Sequence, residues 1–212
     1  MQYPDSVALI DALSQRVLRH LPPSAWRQLF LSPGAEALQF TQVRGTLLCA
    51  AAQMPAWTTA PVASLRDLEF LARAHGGELD PCPQASALVS FDDPHAALAM
   101  AIELQQLGGE VRYQVGMATG ECTLATLALE GIAVPVLVGG AVDEVEAVAR
   151  QAAPGSIRIA PGTYREVEEA LARITSCMVA TEYEGEELAA ASLTMAPRAS
   201  AFLSTFAGLG LT

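Results

Sequence analysis

Two adjoining stretches in the middle of the chain decide the fold. Residues 71–91 read LARAHGGELDPCPQASALVSF, and residues 92–107 read DDPHAALAMAIELQQL. The first stretch places Gly76-Gly77 after an apolar helical repeat, which is typical of a helix end, and continues into a strand over Ala85–Phe91. The second begins with Asp93-Pro94, a helix-start signal, and carries alanine, leucine and isoleucine along one helical face. Together they predict a helix, a strand and a second helix in succession.

The same alternation extends to both sides of these stretches. Upstream, Val43–Ala51 has the pattern of a buried strand, and Ser64 and Asp67 have the spacing of a capping box for the helix that ends at Gly76. Downstream, we expect strands over Val111–Ala118, Gly131–Val138 and Ser156–Ala160, a helix from Gly140 to Ala153-Pro154-Gly155, a helix over Thr163–Ile174, and a hairpin of Cys177–Glu182 and Glu187–Met195. Strand–helix–strand alternation with hairpins predicts an α+β sandwich of the ferredoxin-like kind.

Three regions are expected along the chain. Residues 1–40 form an N-terminal helical arm, residues 42–195 form the α+β domain, and residues 196–212 form a C-terminal tail. In the arm, one helix from Asp5-Ser6 to about His20 carries an apolar stripe of Val7, Ile10, Leu13, Val17 and Leu18, and a second short helix covers Ala25–Leu31. Two interpretations stay open for this arm: it packs on its own domain, or it serves oligomerisation or signal transmission.

Charge and composition exclude several classes of function. The 212 residues carry twelve basic and twenty-three acidic side chains, a formal charge of −11. All twelve basic residues are arginine, so a Schiff-base lysine and the lysine of a phosphate-binding P-loop are excluded. The acidic balance disfavours nucleic acid and anionic membrane surfaces as partners. Alanine and arginine in place of lysine are typical of a GC-rich bacterial genome.

Neither targeting nor metal binding is indicated. No apolar run reaches the roughly 18 residues of a membrane span, and the N-terminus MQYPDS lacks the basic region of a secretory signal, so we expect a cytoplasmic protein without a membrane span. The cysteines and histidines do not occur at ligand spacing, which predicts no metal, no cofactor and no disulfide framework. They are Cys49, Cys82, Cys122, Cys177, His20, His75 and His95.

The order of the motifs resembles the catalytic domain of the class III adenylate/guanylate cyclases. The resemblance covers about residues 42–195 and rests on GTLLCAAAQM as the opening strand, Gly76-Gly77, Phe91 with the alanine-rich helix after it, VRYQVGMATGEC over 111–122, and GGAVDEVEAVARQAAPGSIRIAPGTY over 139–164. It implies a ferredoxin-like fold of the class III nucleotide cyclase type, and head-to-tail dimers with nucleotide sites at the interface.

The resemblance also implies six functional positions, none of which keeps the family's residue here. The two metal-binding aspartates fall on Ala51 and Ala85. The purine-selecting lysine and its polar partner fall on Pro81 and Val136. The transition-state asparagine and arginine fall on Asp143 and Ala147. Alanine cannot ligate Mg²⁺, and without metal or a cation at position 147 nothing offsets charge developing on the phosphates.

The remaining acidic residues, His75 and the Gly139-Gly140 pair, which could suggest a catalytic or anion-binding site, have structural explanations in this sequence. Asp92 and Asp93 precede a helix, where acids cap and complement the helix dipole. His75 lies at a helix C-terminus. The acidic run over residues 182–187 is expected to be an exposed turn, and Gly139-Gly140 lacks the spacing and the basic helper of an anion site.

These observations predict a catalytically inactive, cyclase-like domain that acts as a regulatory or protein-interaction module in signalling. We expect a homodimer, and a protein partner through the N-terminal helices. By resemblance, small apolar residues at Ala51, Ala85, Val136 and Ala147 line the former nucleotide site, which favours subunit packing or a small lipophilic ligand over a nucleotide. Two alternatives stay open: a divergent cyclase using non-standard residues, and a small-molecule sensor in the former nucleotide site.

Overall fold

A computed structural model describes residues 11, 14–15, 38–53, 61–80, 86–107, 111–129, 132–174, 177–184 and 187–195. Within this part of the chain, eight strands and four helices follow one another. In chain order they are β1 (Leu38–Gln53), α1 (Pro61–Ala74), β2 (Glu78–Leu79), β3 (Ala87–Phe91), α2 (Pro94–Leu107), β4 (Arg112–Leu129), β5 (Ile132–Val138), α3 (Gly140–Gln151), β6 (Ser156–Ile159), α4 (Pro161–Ala172), β7 (Cys177–Glu184) and β8 (Glu187–Met195).

The strands form one mixed sheet in the order β2-β3-β1-β4-β6-β8-β7, with β5 paired to β4 outside this path. Only β4 and β6 run parallel; the other pairs are antiparallel. Two strands share the second edge of β4, because β6 pairs with its residues 114–117 and β5 with its residues 123–129. The predicted α+β fold class is confirmed.

The sheet has a proximal half and a distal half. The distal half consists of residues 38–45 of β1, residues 120–129 of β4 and the whole of β5, which pair in continuous register. The proximal half contains the remaining strands and the rest of β1 and β4. The strand predicted over Val111–Ala118 was too short, since the observed strand continues to Leu129. Gly120 and Glu121 interrupt the apolar alternation from which the end of the strand was predicted.

Two apolar cores lie on opposite faces of the sheet. The first lies under α1, α2 and α4, and its fully buried side chains include Leu48, Met100, Met117, Ile157 and Leu193. The second lies under α3 and contains Leu47, Cys49, Ala118, Val142 and Val145. Successive residues of a strand point to opposite faces, which is why Leu47 and Leu48 belong to different cores.

Glycines in β4 let α3 lie close to the sheet. A Cβ at Gly116 would stand 2.5 Å from the backbone N of Ala149 and 2.6 Å from the carbonyl O of Val145. A Cβ at Gly120 would stand 3.1 Å from the Cβ of Ala141, at the start of the same helix. The buried stripe of α3 matches the predicted one, with Val142, Val145 and Ala149 facing inward.

The helix ends show which local signals were correctly interpreted. The amide of Gly77 donates to the carbonyl of Ala72 and the amide of Gly76, at φ 72°, donates to that of Arg73, the pair of bonds typical of a Schellman motif. The capping box at Ser64 was wrong, because α1 already begins at Pro61 and Ser64 lies inside the helix. The final hairpin is confirmed, with β7 extended to Glu184.

The arm and the tail lie largely outside the described residues. Of the predicted arm, residues 1–40, the structure describes Asp11, Ser14 and Gln15, which are helical, and residues 38–40, which belong to β1; the tail 196–212 is not described. None of the helices in the described part of the chain is long and apolar enough to cross a membrane.

Candidate functional site

A pocket of about 220 Å³ opens in the distal half of the sheet, on the face that carries α3. Its apolar wall consists of side chains from β1, β4 and β5, among them Leu47, Cys122, Leu124, Pro135 and Leu137. Residues 76–80 and 90–92 close the opposite side. The pocket is therefore small and largely apolar, with the distal half of the sheet on one side and residues from the ends of β2 and β3 on the other.

Asp80 connects these two sides of the pocket. It follows β2, and its backbone amide donates to the carbonyl of Leu88 at 2.8 Å, which keeps it beside β3. Its side chain is 8% exposed, and Oδ2 accepts a hydrogen bond from the backbone N–H of Leu137 in β5 at 3.4 Å. The strand order separates β2 from β5 by β3, β1 and β4, so this contact requires the sheet to curve around the pocket.

The charges around the pocket are mainly negative. Glu78, Asp80 and Asp92 are among its lining residues, and Arg44 is the basic residue among the described ones. The side chain of Arg44 points to the opposite face of β1, the face of Leu48. Arg44 also lies 3.7 Å from a carboxylate oxygen of Glu166 in α4. A polyanionic group at this pocket would meet net repulsion.

Residues next to the two positions that the family resemblance assigns to purine selection line this pocket. Pro81 lies outside the described residues, directly after Asp80. Val136 is fully buried, and its neighbours Pro135 and Leu137 line the pocket, so Val136 faces the other side of β5. Sequence reasoning missed Asp80; a lone acid between Leu79 and Pro81 at the end of a strand was the available signal.

The metal and transition-state positions carry no metal-binding set. Ala51 is half-buried near the end of β1, opposite Gln114 of β4, and Ala85 is outside the described residues. Asp143 is exposed in the first turn of α3, and Ala147 is half-buried one turn later. Across the described ranges, no three histidine, cysteine, aspartate or glutamate side chains are grouped so that they could hold a metal ion.

Three acids outside the pocket and the two described histidines make local contacts. Asp93 Oδ1 accepts from the backbone N–H of His95 at 2.9 Å and contacts its ring at 3.0 Å, and the first of these bonds is the main reason that the pKa of Asp93 is lowered. His75 lies 2.8 Å from Glu103. Glu182 accepts two bonds from Arg158, at 2.8 and 2.6 Å, which lower the pKa of its carboxyl. Glu182 lies in β7 rather than in a turn.

A buried hydroxyl cluster joins the sheet to α4. The hydroxyls of Thr46 and Thr119 are 2.9 Å apart, and that of Thr163 donates to Thr119 at 3.0 Å. Thr46 and Thr163 are 1% and 0% exposed. Because these hydroxyls hydrogen-bond to one another, the cluster stabilises the packing of α4 on the sheet and does not resemble a nucleophile with its base.

The described thiols are buried as well. Cys49 and Cys122 belong to the core under α3 and neither is part of a disulfide, and burial raises the pKa of the Cys122 thiol. A thiol with a raised pKa is a poor nucleophile.

A second cavity, of about 740 Å³, lies between α2 and the end of α4 and is lined by His75, His95, Leu98, Ile102 and Ile174 among others.

Comparison with known proteins places the fold among cyclase catalytic domains. No family model and no curated protein matches the chain. Among solved structures, the adenylyl cyclase CyaB from P. aeruginosa is similar with a TM-score of 0.61 at 14% identity, over 76% of this chain and 98% of that one. The adenylate/guanylate cyclase/hydrolase from Silicibacter pomeroyi is similar with a TM-score of 0.55 at 16% identity, over 74% and 99%.

The guanylyl cyclase domain of the RhoGC fusion protein from Blastocladiella emersonii is similar too. Its non-canonical dimeric form gives a TM-score of 0.57 at 14% identity, covering 74% of this chain and 98% of that one, and a monomeric form is also among the similar structures. At these identities the similarity concerns the fold, and it agrees with the cyclase resemblance of the sequence.

Proposed function

We propose that the chain is a cyclase-fold regulatory and protein-interaction module that does not turn over nucleotides. One observation carries the proposal: the pocket beside Asp80 is lined by three acidic residues, Glu78, Asp80 and Asp92, whereas the guanidinium of its one described basic residue, Arg44, pairs with Glu166 of α4. Nucleotide phosphates need metal ions or cations to offset their charge. A net charge of −11 on the whole chain adds to the repulsion.

The residues at the family's catalytic positions support the same reading. Ala51 and Ala85 offer no oxygen to a metal, and Ala147 offers no cation to a developing charge. Asp143 would repel a triphosphate. Losing one such group typically costs about 10²–10³ in rate, so losing them together removes most of the catalytic power.

Binding without turnover is a second candidate function, and the shape of the pocket favours it. Its volume of about 220 Å³ lies below the roughly 300–1,000 Å³ of pockets for drug-sized ligands, so a small molecule fits better than a nucleoside triphosphate. The apolar wall of Leu47, Leu124 and Leu137 suits an apolar body, and the carboxylate of Asp80 suits a hydrogen-bond donor or a cation.

We further propose that the module acts as a cytoplasmic dimer. Its support is the family resemblance, together with the presence of a dimeric form among the similar structures. Sedimentation at concentrations from the nanomolar to the high micromolar range tests it, and a monomer throughout that range contradicts it.

The deciding experiment combines nucleotide binding with turnover. We expect no change in the melting temperature of the full chain on addition of ATP or GTP with Mn²⁺, and no cyclic nucleotide in an assay that detects an active cyclase added as a positive control. A nucleotide at 100 times its dissociation constant would add about 2.7 kcal/mol, which such a melting curve resolves.

Cyclic nucleotide formation would overturn the proposal if this chain, and not a contaminating cyclase, produces it. The variants Asp143→Ala and Asp67→Ala distinguish these two sources, because Asp143 lies at a catalytic position of the family and Asp67 is an exposed acid of α1. Activity that rises or falls in Asp143→Ala but stays unchanged in Asp67→Ala would identify a divergent cyclase.

A further inference from the structure

Most of the large apolar side chains that the described residues expose lie on one strand, β7. Met178 and Tyr183 are each 63% exposed, Val179 is 40% exposed, and the remaining one is Phe70 of α1. All residues from 178 to 184 are exposed, so both faces of the strand are open. Clustered exposed apolar side chains indicate an interaction surface, whereas scattered ones do not.

The strand that carries them is also the last strand of the sheet. Among the described strands, β7 pairs with β8 alone. In an antiparallel pair, alternate residues direct their N–H and C=O groups away from the partner. The outer edge of β7 therefore offers backbone donors and acceptors to a further strand. We call this outer edge, residues 178–184, the β7 edge.

The first part of the β7 edge has none of the usual protection. Natural edge strands are normally protected from pairing by charged side chains, prolines or bulges. Residues 178–181 are Met, Val, Ala and Thr. The acids Glu182 and Glu184 and the irregular pairing with β8 come only after them. The open backbone thus suits an extended strand, and the side chains determine which one.

The two faces of the β7 edge differ in chemistry. Val179 lies opposite Leu193 of β8, which belongs to the core under α1, α2 and α4. The irregularity places its extra residue in β8, so the side chains along β7 continue to alternate. Val179, Thr181 and Tyr183 therefore lie on the face of α4. The residues on the face of α3 are Met178, Ala180, Glu182 and Glu184.

We propose that the β7 edge pairs with the same edge of a second copy of this chain, antiparallel, about a two-fold axis through Thr181. Residues 178–184 of one copy then pair with residues 184–178 of the other, so the whole edge is used. On the face of α4, Val179 of each copy lies opposite Tyr183 of the other, and the two Thr181 side chains meet. Aromatic–β-branched and Thr–Thr pairs are favourable across antiparallel strands.

The charges of the edge select this register. Directly opposite side chains share a face, so the axis passes through a residue and not between two. With the axis at Thr181, Glu182 lies opposite Ala180 and Glu184 opposite Met178. An axis at Glu182 would place two copies of that acid face to face, and an axis at Tyr183 would place Glu182 opposite Glu184. Like charges directly opposite are destabilising.

The charge of Glu182 is already offset within each copy. The guanidinium of Arg158 in β6 donates to its two carboxylate oxygens at 2.8 and 2.6 Å. In the proposed register the two Glu182 side chains are diagonal neighbours on the face of α3. Their pairing with Arg158 removes much of the repulsion that a second copy would otherwise meet there.

This interface is separate from the head-to-tail interface that the family resemblance implies. The positions of that resemblance lie on β1, β5 and α3, whereas β8 and β6 separate β7 from β4 in the sheet. A chain with two distinct self-complementary interfaces can join dimers into larger assemblies. The inference goes beyond the proposed function and holds whether or not the head-to-tail dimer forms.

Cysteine substitution in the full chain tests the occupant and the register together. The background is Cys82→Ser with Cys177→Ser, which leaves the buried Cys49 and Cys122. Thr181→Cys places two thiols on the axis, where opposite Cα atoms are about 4.5–5.5 Å apart, within disulfide range. We expect oxidised glutathione to convert most of this variant into a disulfide-linked dimer on a non-reducing gel.

Val179→Cys is the matched control. Its two thiols are offset by four residues, about 14 Å along the strands, so this variant alone should stay monomeric on the same gel. Mixed with Tyr183→Cys, it should form the disulfide-linked heterodimer. Equal cross-linking of Val179→Cys alone and Thr181→Cys would contradict the register, and no cross-linking in any variant would overturn the pairing.

Sedimentation supplies a readout without a covalent bond. Thr181→Asp places two carboxylates face to face on the axis and should weaken self-association of the chain at least about tenfold, since tenfold corresponds to 1.4 kcal/mol. Ala189→Asp adds the same charge at an exposed residue of β8, away from the β7 edge, and should leave self-association unchanged. A wild-type monomer, or equal association of the wild type and Thr181→Asp, would overturn the proposal.

Discussion

The carboxylate of Asp80 accepts a hydrogen bond from the backbone N–H of Leu137 at 3.4 Å, across the pocket. One residue follows β2 at an edge of the sheet, and the other lies in β5, whose only strand partner in the described sheet is β4. The bond gives the Leu137 amide an acceptor side chain from outside β4 and β5, and it joins the two sides of the pocket. Asp80 therefore stabilises the structure of the pocket, in addition to any role in binding a ligand.

Replacing Asp80 with alanine should destabilise the protein by about 1–3 kcal/mol, because a buried donor loses its acceptor. Asp80→Asn keeps an acceptor oxygen and should retain most of the stability. Urea unfolding measures both, and the Leu137 amide should exchange faster only in the alanine variant. Glu78→Gln, an exposed acid of the same pocket, is the control; an equal loss there would show that charge, rather than the bond, matters.

Adding one methyl group at Gly116 should displace α3. Its Cβ would lie within 2.6 Å of two backbone atoms of the helix, which cannot rotate away, so we expect Gly116→Ala to cost about 1–3 kcal/mol. Gly162→Ala makes the same chemical change in the first turn of α4, where the new Cβ meets nothing within 4 Å. That variant should be neutral or gain up to about 1 kcal/mol. Equal effects of the two changes on urea unfolding would contradict the close packing of α3.

Removing the hydroxyl of Thr119 should weaken the link between the sheet and α4. Thr119→Val keeps the shape but leaves the buried hydroxyls of Thr46 and Thr163 without their shared partner, at a cost of about 1–3 kcal/mol. Thr119→Ser keeps the hydroxyl and should cost less than about 1 kcal/mol, for the lost methyl. A serine variant as unstable as the valine variant would mean that packing, and not hydrogen bonding, stabilises this region.

Asp93 should make the stability of α2 depend on pH. Its lowered pKa in the folded chain means that its contribution is complete above the ordinary value of 3.8 and is lost as the pH falls through that value toward the folded pKa. Above pH 5, Asp93→Ala should cost about 1 kcal/mol for the lost cap, whereas Asp93→Asn keeps most of it. Urea unfolding at pH 6 and pH 3 checks this, with Asp92→Ala as the control. A loss of the same size at both pH values would contradict the charged cap.

Local patterns predicted the elements well where side chains and neighbours act within a few residues. The repeat of Val142, Val145 and Ala149, the helix end at Gly76-Gly77 and the cap at Asp93 all depend on contacts inside one element or one turn. Ser64 was misjudged because a proline three residues earlier already starts the helix. The length of β4 was misjudged because Gly120 breaks the apolar pattern, although the strand needs this glycine under α3.

The candidate site was predicted only in outline. The resemblance indicated the stretches around Pro81 and Val136, and the structure brings their neighbours Asp80, Pro135 and Leu137 together. Which residue of a strand faces a pocket depends on the register of the pairing, and a shift of one residue exchanges the two faces. The lost ligands at Ala51 and Ala85 stay a prediction from the sequence.

The sequence by itself determined the α+β class, the order of most elements and the absence of lysine chemistry, because composition and short-range periodicity suffice for these. Only the tertiary structure decided that Asp80 meets Leu137 and that Thr119 joins Thr46 and Thr163. These contacts join residues up to 73 positions apart. They follow from the curvature and register of the sheet, which no short stretch of the chain specifies.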